Sequence, residues 1–106
     1  AVSLSERTYA FLGAGIIAGV FAERLVRAGI PPGNIIASDV VPEKPRALAE
    51  RLGIRAAAGN RKAAAAGSIV FLAVPPNAVK GVLEEVCDVL RPDVLLVSLT
   101  AAVRTE

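Results

Sequence analysis

A glycine turn between an apolar run and a helical pattern constrains this chain more than any other stretch. The apolar run 9–12 leads directly into Gly13-Ala14-Gly15, and a helical pattern begins at Ile16. In a strand–turn–helix order, the first glycine permits the tight turn, the second lets backbone approach a phosphate, and a small Ala18 lets the helix pack on the strand. The helix then directs unpaired N–H groups and its positive dipole end at the anion. This stretch therefore predicts a dinucleotide site.

The rest of the chain alternates short apolar runs with helical patterns over short loops. Such alternation predicts a parallel sheet with right-handed crossovers. We expect one Rossmann-like α/β domain over residues 1–106, with a mostly parallel five-stranded sheet in the order 3-2-1-4-5 and helices on both faces. The predicted strands are 7–12, 34–38, 54–58, 68–74 and 94–99, and the predicted helices are 16–28, 42–52, 60–66 and 77–90.

Composition supports this class and excludes several others. Hydrophobic residues make up 54% of the 106 residues, which suits a parallel sheet covered on both faces, or else marks a surface that meets a partner or a second domain. The absence of histidine excludes histidine-based catalysis and histidine metal ligands, and no metal site is predicted. A single cysteine, Cys87, fits a reducing cytoplasmic setting.

Charge and hydropathy point away from nucleic acids and membranes. The net charge is only +2, and basic residues are scattered among acidic ones, so nucleic-acid binding is not expected. The apolar runs fall short of the ~20 residues that span a bilayer, and residues 1–7 do not form a signal peptide. We therefore expect a cytoplasmic protein without membrane contacts.

Three further positions are candidates for contact with the rest of a dinucleotide. Asp39 ends the second strand about 20 residues beyond the turn, where a carboxylate accepts hydrogen bonds from ribose hydroxyls, unless it is only a turn residue. It favours NAD slightly over NADP, although Lys44 and Arg46 follow closely enough to offset its charge. Asn60 is either a helix cap or a ligand contact. Residues 73–76 either terminate a strand or offer backbone to a ring or ribose.

Taken together, these residues resemble the N-terminal domain of the pyrroline-5-carboxylate reductase family. The likeness extends from about Tyr9 to Val103 and is carried by FLGAGIIAG, GIPPGNIIASDVVPEKPRALAERLGI, Asn60, SIVFLAVPPNAVKGVLEEV and VLLVSLTAAV. The resemblance implies an enzyme of proline biosynthesis in which hydride from NADPH or NADH reduces the carbon–nitrogen double bond of 1-pyrroline-5-carboxylate. It also implies a helical second domain, absent from this chain, that completes the pocket for the small imine substrate and forms a homo-oligomer.

The resemblance also assigns cofactor contacts, and it assigns no catalytic residue. Pro75 stands where the family usually has lysine, and Ala102 where it usually has glycine. The first change removes a cation and a backbone donor, and the second prevents a glycine-only loop conformation, so both bear on catalysis more than on binding. The implied contacts are Leu12, Gly13, Ala14, Gly15, Ile16 and Ile17 for pyrophosphate, Ser38, Asp39, Val40 and Asn60 for the adenosine half, and Ala73, Val74, Pro75, Pro76, Thr100, Ala101 and Ala102 for the nicotinamide half.

Other functions stay open at this point. A prephenate or deazaflavin-dependent dehydrogenase would carry the same first domain. A regulatory module could bind the dinucleotide and change the shape of a partner without reducing anything, and a structural domain could retain the turn with an inactive site.

Overall fold

The sheet and helices alternate along the chain as the sequence predicts. The computed structural model describes residues 6–99. A short 3-10 helix, Pro32–Asn34, precedes the second strand. The strands are β1 (Tyr9–Leu12), β2 (Ile35–Ser38), β3 (Arg55–Ala56), β4 (Ile69–Leu72) and β5 (Leu95–Ser98), and the helices are α1 (Ile16–Arg27), α2 (Glu43–Leu52), α3 (Asn60–Ala66) and α4 (Pro76–Val86).

All strand pairs are parallel, and the order is β3-β2-β1-β4-β5. The predicted Rossmann-like fold is therefore confirmed. Leu12 is in register with both Ser38 and Leu72, and Leu72 is in register with Ser98. The carboxyl ends of four strands consequently lie at one level. In open parallel sheets, ligands bind at this end of the strands.

Alternate residues of the strands face two separate cores. Phe11 and Ile35 are fully buried on the face that α1 and α2 cover, together with Ala18 of α1. Leu12 and Val70 are fully buried on the opposite face, under α3 and α4. A strand buried on both faces needs a continuous apolar run, and this explains the sequence of β1.

Several predicted element boundaries are wrong by a few residues. The predicted strand 54–58 is reduced to Arg55–Ala56, since it pairs only with β2 at the sheet edge. The predicted strand 68–74 is shortened to Ile69–Leu72. The last helix begins at Pro76 rather than at residue 77, because proline fits the first helical position, and it ends at Val86 before the predicted residue 90.

The sheet is not covered at its β5 edge. Leu95 is 56% exposed and Leu96 is 40% exposed, although their side chains point to opposite faces. Helices cover both faces of the inner strands, and β5 is less covered because within residues 6–99 no helix follows this strand. None of the helices in that range combines the length and the apolar character needed to cross a bilayer.

Candidate functional site

The glycine turn has the geometry that its sequence predicts. Gly13 has φ +106°, and a Cβ there would lie 2.5 Å from the carbonyl oxygen of Ala73. Only glycine fits, because both the backbone conformation and the contact exclude a side chain. The N–H of Gly13 also donates a 2.8 Å hydrogen bond to the carbonyl of Ser38, which fastens the turn to β2.

The second glycine faces open space. A Cβ built on Gly15 meets no atom of the described chain within 4 Å. Gly15 is also the N-cap of α1, and within residues 6–99 no side chain caps this helix. The first turn of α1 contains no acidic residue either. Its N–H groups and positive dipole end are thus open to an anion.

Asp39 is fixed at the end of β2 by two backbone donors. Its Oδ2 accepts a 2.7 Å hydrogen bond from the N–H of Ala14, and its Oδ1 accepts a 2.9 Å bond from the N–H of Val41. The second bond closes an Asx turn, so Asp39 has the structural role of a turn residue. Each carboxylate oxygen retains capacity for another donor, and its predicted role toward a ribose stays a prediction.

Asn60 does not cap its helix. Gly59 occupies the N-cap position, and within the described chain no side chain caps α3, so the capping interpretation is wrong. The Asn60 side chain instead accepts a 2.6 Å hydrogen bond at Oδ1 from the Ser38 hydroxyl and donates a 3.0 Å bond from Nδ2 to Glu85 Oε1. These bonds join the end of β2 to the start of α3, and the start of α3 to α4.

A cavity of about 440 Å³ lies between the glycine turn and the loop after β4. A second groove of about 780 Å³ adjoins it along α1 and α2 and includes Ala14, Ile16 and Ile17. Gly15, Lys44 and Ala73 line both spaces, which makes them continuous. The cavity is lined by Gly13, Gly15, Asp39, Val40, Val41, Lys44, Asn60, Ala73, Val74, Pro75, Ala78 and Val82.

Most of the predicted contacts are therefore brought together, and a few are not. The side chains of Leu12 and Ser38 are fully buried, so they do not reach the cavity surface. Pro76 begins α4 and belongs to neither lining. Thr100, Ala101 and Ala102 lie outside the described residues.

Sequence reasoning missed other residues at this site. Val41, Ala78 and Val82 line the cavity, and their apolar character gave no signal beyond helix and loop packing. Glu85 belongs to an acidic pair, Glu84-Glu85, that the sequence suggests is a solvated helix face. Its bond to Asn60 spans 25 positions, and only a model of how α3 packs on α4 would have found it.

Arg61 and Asp88, whose pKa values are shifted, lie beside the hydrogen bonds of Asn60. Arg61 forms two hydrogen bonds with the Asp88 carboxylate, of 2.7 and 3.0 Å. The bonds lower the pKa of Asp88, and the same hydrogen bonding raises the pKa of Arg61. Since both side chains are exposed, the pair stabilises the packing of α3 on α4 only slightly.

Comparison with known proteins identifies the family of this chain. Residues 8–102 match the family described as NADP oxidoreductase coenzyme F420-dependent. Pyrroline-5-carboxylate reductase from Pseudomonas aeruginosa is 33% identical over 100 residues, which cover 94% of this chain and 37% of the relative. The chain thus spans little more than a third of that relative's length.

Solved structures agree with the fold. A pyrroline-5-carboxylate reductase from Coxiella burnetii superposes with a TM-score of 0.81 at 29% identity, covering 87% of this chain and 34% of the other. Prephenate dehydrogenase from A. aeolicus has a TM-score of 0.78 at 21% identity, with 92% and 34% covered, and this likeness concerns the fold alone.

These findings confirm the resemblance to pyrroline-5-carboxylate reductase and the prediction of an NAD(P)-binding domain of the oxidoreductase type. The chain belongs to the NADP oxidoreductase family described as coenzyme F420-dependent, and it is an NAD(P)-binding domain similar to that of pyrroline-5-carboxylate reductase.

Proposed function

We propose that this chain is the N-terminal domain of an enzyme that reduces 1-pyrroline-5-carboxylate to proline, and that NADPH or NADH binds in the cavity between the glycine turn and the loop after β4. The observation that carries the proposal is the cavity itself. It combines an uncapped N-terminus of α1 with Asp39, Asn60 and the loop after β4, and these are the contacts a dinucleotide needs. The curated relatives support the reaction.

The residues fit the cofactor. The open space at Gly15 leaves room for a pyrophosphate against the N–H groups of α1, and no carboxylate of the first turn competes for them. Lys44 lines both the cavity and the adjoining groove, and it supplies positive charge near the phosphates. The carboxylate of Asp39 has remaining acceptor capacity for ribose hydroxyls.

The bound dinucleotide supplies the hydride, and the chain's residues hold and orient it. Asn60 and Asp39 bind the adenosine half, while Ala73 to Pro75 line the side expected to hold the nicotinamide ribose. Pro75 has no N–H, so it contributes no backbone donor to this side. Orientation is the chain's part in the reaction, and the imine pocket comes from the second domain.

The proposal extends to the parts of the enzyme beyond this chain. A helical second domain would complete the imine pocket and form a homo-oligomer. The match covers only 37% of the Pseudomonas relative, which supports a longer native protein. The exposed leucines of β5 support an apolar contact with the second domain. We place the enzyme in the cytoplasm, where a single exposed cysteine stays reduced, with no nucleic-acid or membrane partner.

Calorimetric titration of this chain with NADH and NADPH, each alone, tests the cofactor site. We expect saturable heat with at least one of them. Absence of heat with both contradicts the proposal, provided that circular dichroism shows the chain to be folded.

A substrate panel on the full-length protein tests the reaction. We expect oxidation of NADPH or NADH, followed at the absorbance of the reduced nicotinamide, to depend on 1-pyrroline-5-carboxylate. NAD(P)⁺-dependent oxidation of prephenate instead would assign the protein to the other dehydrogenase class. Cofactor binding without turnover of either compound favours the regulatory module.

A further inference from the structure

The amide of Asn60 can lie in two orientations that exchange its oxygen and nitrogen, and the ligand meets a different edge in each. The Ser38 hydroxyl does not decide between them, because a hydroxyl donates to an amide oxygen and accepts from an amide nitrogen equally well. Ser38 is fully buried, and its Oγ lies 2.6 Å from Oδ1 of Asn60. Its hydroxyl can rotate to pair with either orientation of the amide.

Glu85 does decide. A carboxylate oxygen only accepts hydrogen bonds, so the atom of Asn60 that lies 3.0 Å from Glu85 Oε1 must be the nitrogen. The oxygen then turns to Ser38, whose hydroxyl donates to it. One N–H and one oxygen lone pair of the amide are left for a ligand in the cavity that Asn60 lines.

The position of Glu85 is itself fixed by the first turn of α3. Arg61 follows Asn60 directly and donates a 2.9 Å hydrogen bond to the carbonyl oxygen of Glu85. The same side chain holds Asp88 in the turn that follows α4. The backbone of α4 at residue 85 is thereby tied to the start of α3, which maintains the distance from Glu85 to Asn60.

We infer that Glu85 is a positioning residue for the cofactor: it orients the Asn60 amide so that one edge is always presented to the adenosine half. The inference rests on the proposed function, because it needs a dinucleotide in this cavity. Glu85 itself lies outside the cavity lining and acts only through Asn60.

Binding of the preferred cofactor and of ADP-ribose, which lacks the nicotinamide, tests this role in three variants. Glu85→Met removes the acceptor at similar length, and we expect affinity for both ligands to fall about twofold, because Ser38 alone leaves the amide divided between the two orientations. Glu85→Gln places an amide there that can accept from or donate to Asn60, so it no longer decides the orientation, and we expect it to weaken binding as Glu85→Met does. Glu84→Met, on the neighbouring exposed position, is the matched control and should bind normally.

A spectroscopic measurement separates orientation from stability. In ¹⁵N-labelled protein, Glu85→Met should shift the side-chain amide signals of Asn60, whereas Glu84→Met should leave them in place. Thermal unfolding establishes that each variant is folded.

The results that overturn the inference are distinct from those that overturn the proposed function. Equal affinities of Glu85→Met and wild type contradict the positioning role alone, and so does a Glu85→Gln variant that binds as tightly as wild type. A wild-type chain that binds neither dinucleotide nor ADP-ribose contradicts the proposed function, and the positioning role with it.

Discussion

The backbone N–H of Ala14 donates a 2.7 Å hydrogen bond to the carboxylate of Asp39, 25 residues further along the chain. The bond ties the middle of the glycine turn to the end of β2. A second bond from the Val41 N–H fixes the other carboxylate oxygen. The negative charge is therefore held at one position beside the cavity, where the resemblance implies the adenosine ribose.

Asp39→Asn should change the choice between cofactors. Removing a fixed negative charge lessens the repulsion of a 2′-phosphate, so we expect the ratio of Kd for NADPH to Kd for NADH to fall about tenfold. Affinity for NADH should also decrease, because asparagine cannot accept both backbone bonds as a carboxylate does. Calorimetric titration measures both constants. Asp93→Asn, at an exposed carboxylate away from the cavity, is the control, and an unchanged ratio in Asp39→Asn would refute this role.

Gly13→Ala should destabilise the fold. The added Cβ would lie 2.5 Å from the carbonyl oxygen of Ala73, in a backbone conformation that L-residues rarely adopt. We expect the free energy of unfolding in urea to fall by about 2–4 kcal/mol. Gly81→Ala in α4 is the matched control, because its Cβ meets no atom of the described residues within 4 Å. That control should raise stability by about 0.5–1 kcal/mol, and similar losses in both variants would count against the steric argument.

Gly15→Val should separate folding from binding. Its Cβ would enter the open space at the start of α1, and its φ of −84° is accessible to valine. We expect cofactor binding to be abolished while the free energy of unfolding changes by less than about 1 kcal/mol. Calorimetry and urea unfolding measure the two effects. Normal binding by this variant would mean that the pyrophosphate lies elsewhere.

Asp88→Asn should remove one component of the pH dependence of stability. The hydrogen bond from Arg61 lowers the pKa of Asp88 in the folded chain below its ordinary value of 3.8. The ion pair therefore stabilises the fold above that value, and the contribution disappears as the pH falls through the lowered pKa. Urea unfolding should show a small stability difference between wild type and variant at neutral pH. That difference should shrink as the pH falls below 3.8 and protonates Asp88, and a difference that grows with acidity would contradict the assignment.

The strand order was predictable because the decisive signals are local. Each strand is a short apolar run, each of the first four is followed by a helical pattern, and parallel crossovers leave few topologies. The glycine turn was likewise readable, since Gly13 and Gly15 sit between a strand and a helix. The Asn60 capping interpretation was wrong because the extended backbone of Gly59, with φ −169°, takes the N-cap position. The sequence pattern does not distinguish Gly59 from Asn60 as the N-cap residue.

Contacts between residues far apart in the sequence were harder to predict. Asp39 and Ala14, like Asn60 and Glu85, are 25 positions apart. Glu85 is an exposed glutamate on a helix, and most such residues are simply solvated. Its contact with Asn60 depends on how α3 packs on α4, which the two helix patterns do not specify.

The common level of the strand ends means that chain length is part of the specification of this site. Leu12, Ser38 and Leu72 are in register, and the short connections 13–15, 39–42 and 73–75 start from that level. A single inserted residue in any of them would separate groups that now meet across the cavity. At the opposite edge, the exposed Gly33 lies in a connection that carries no cavity residue. Insertions, tags or labels are best accommodated there, where a longer loop changes little.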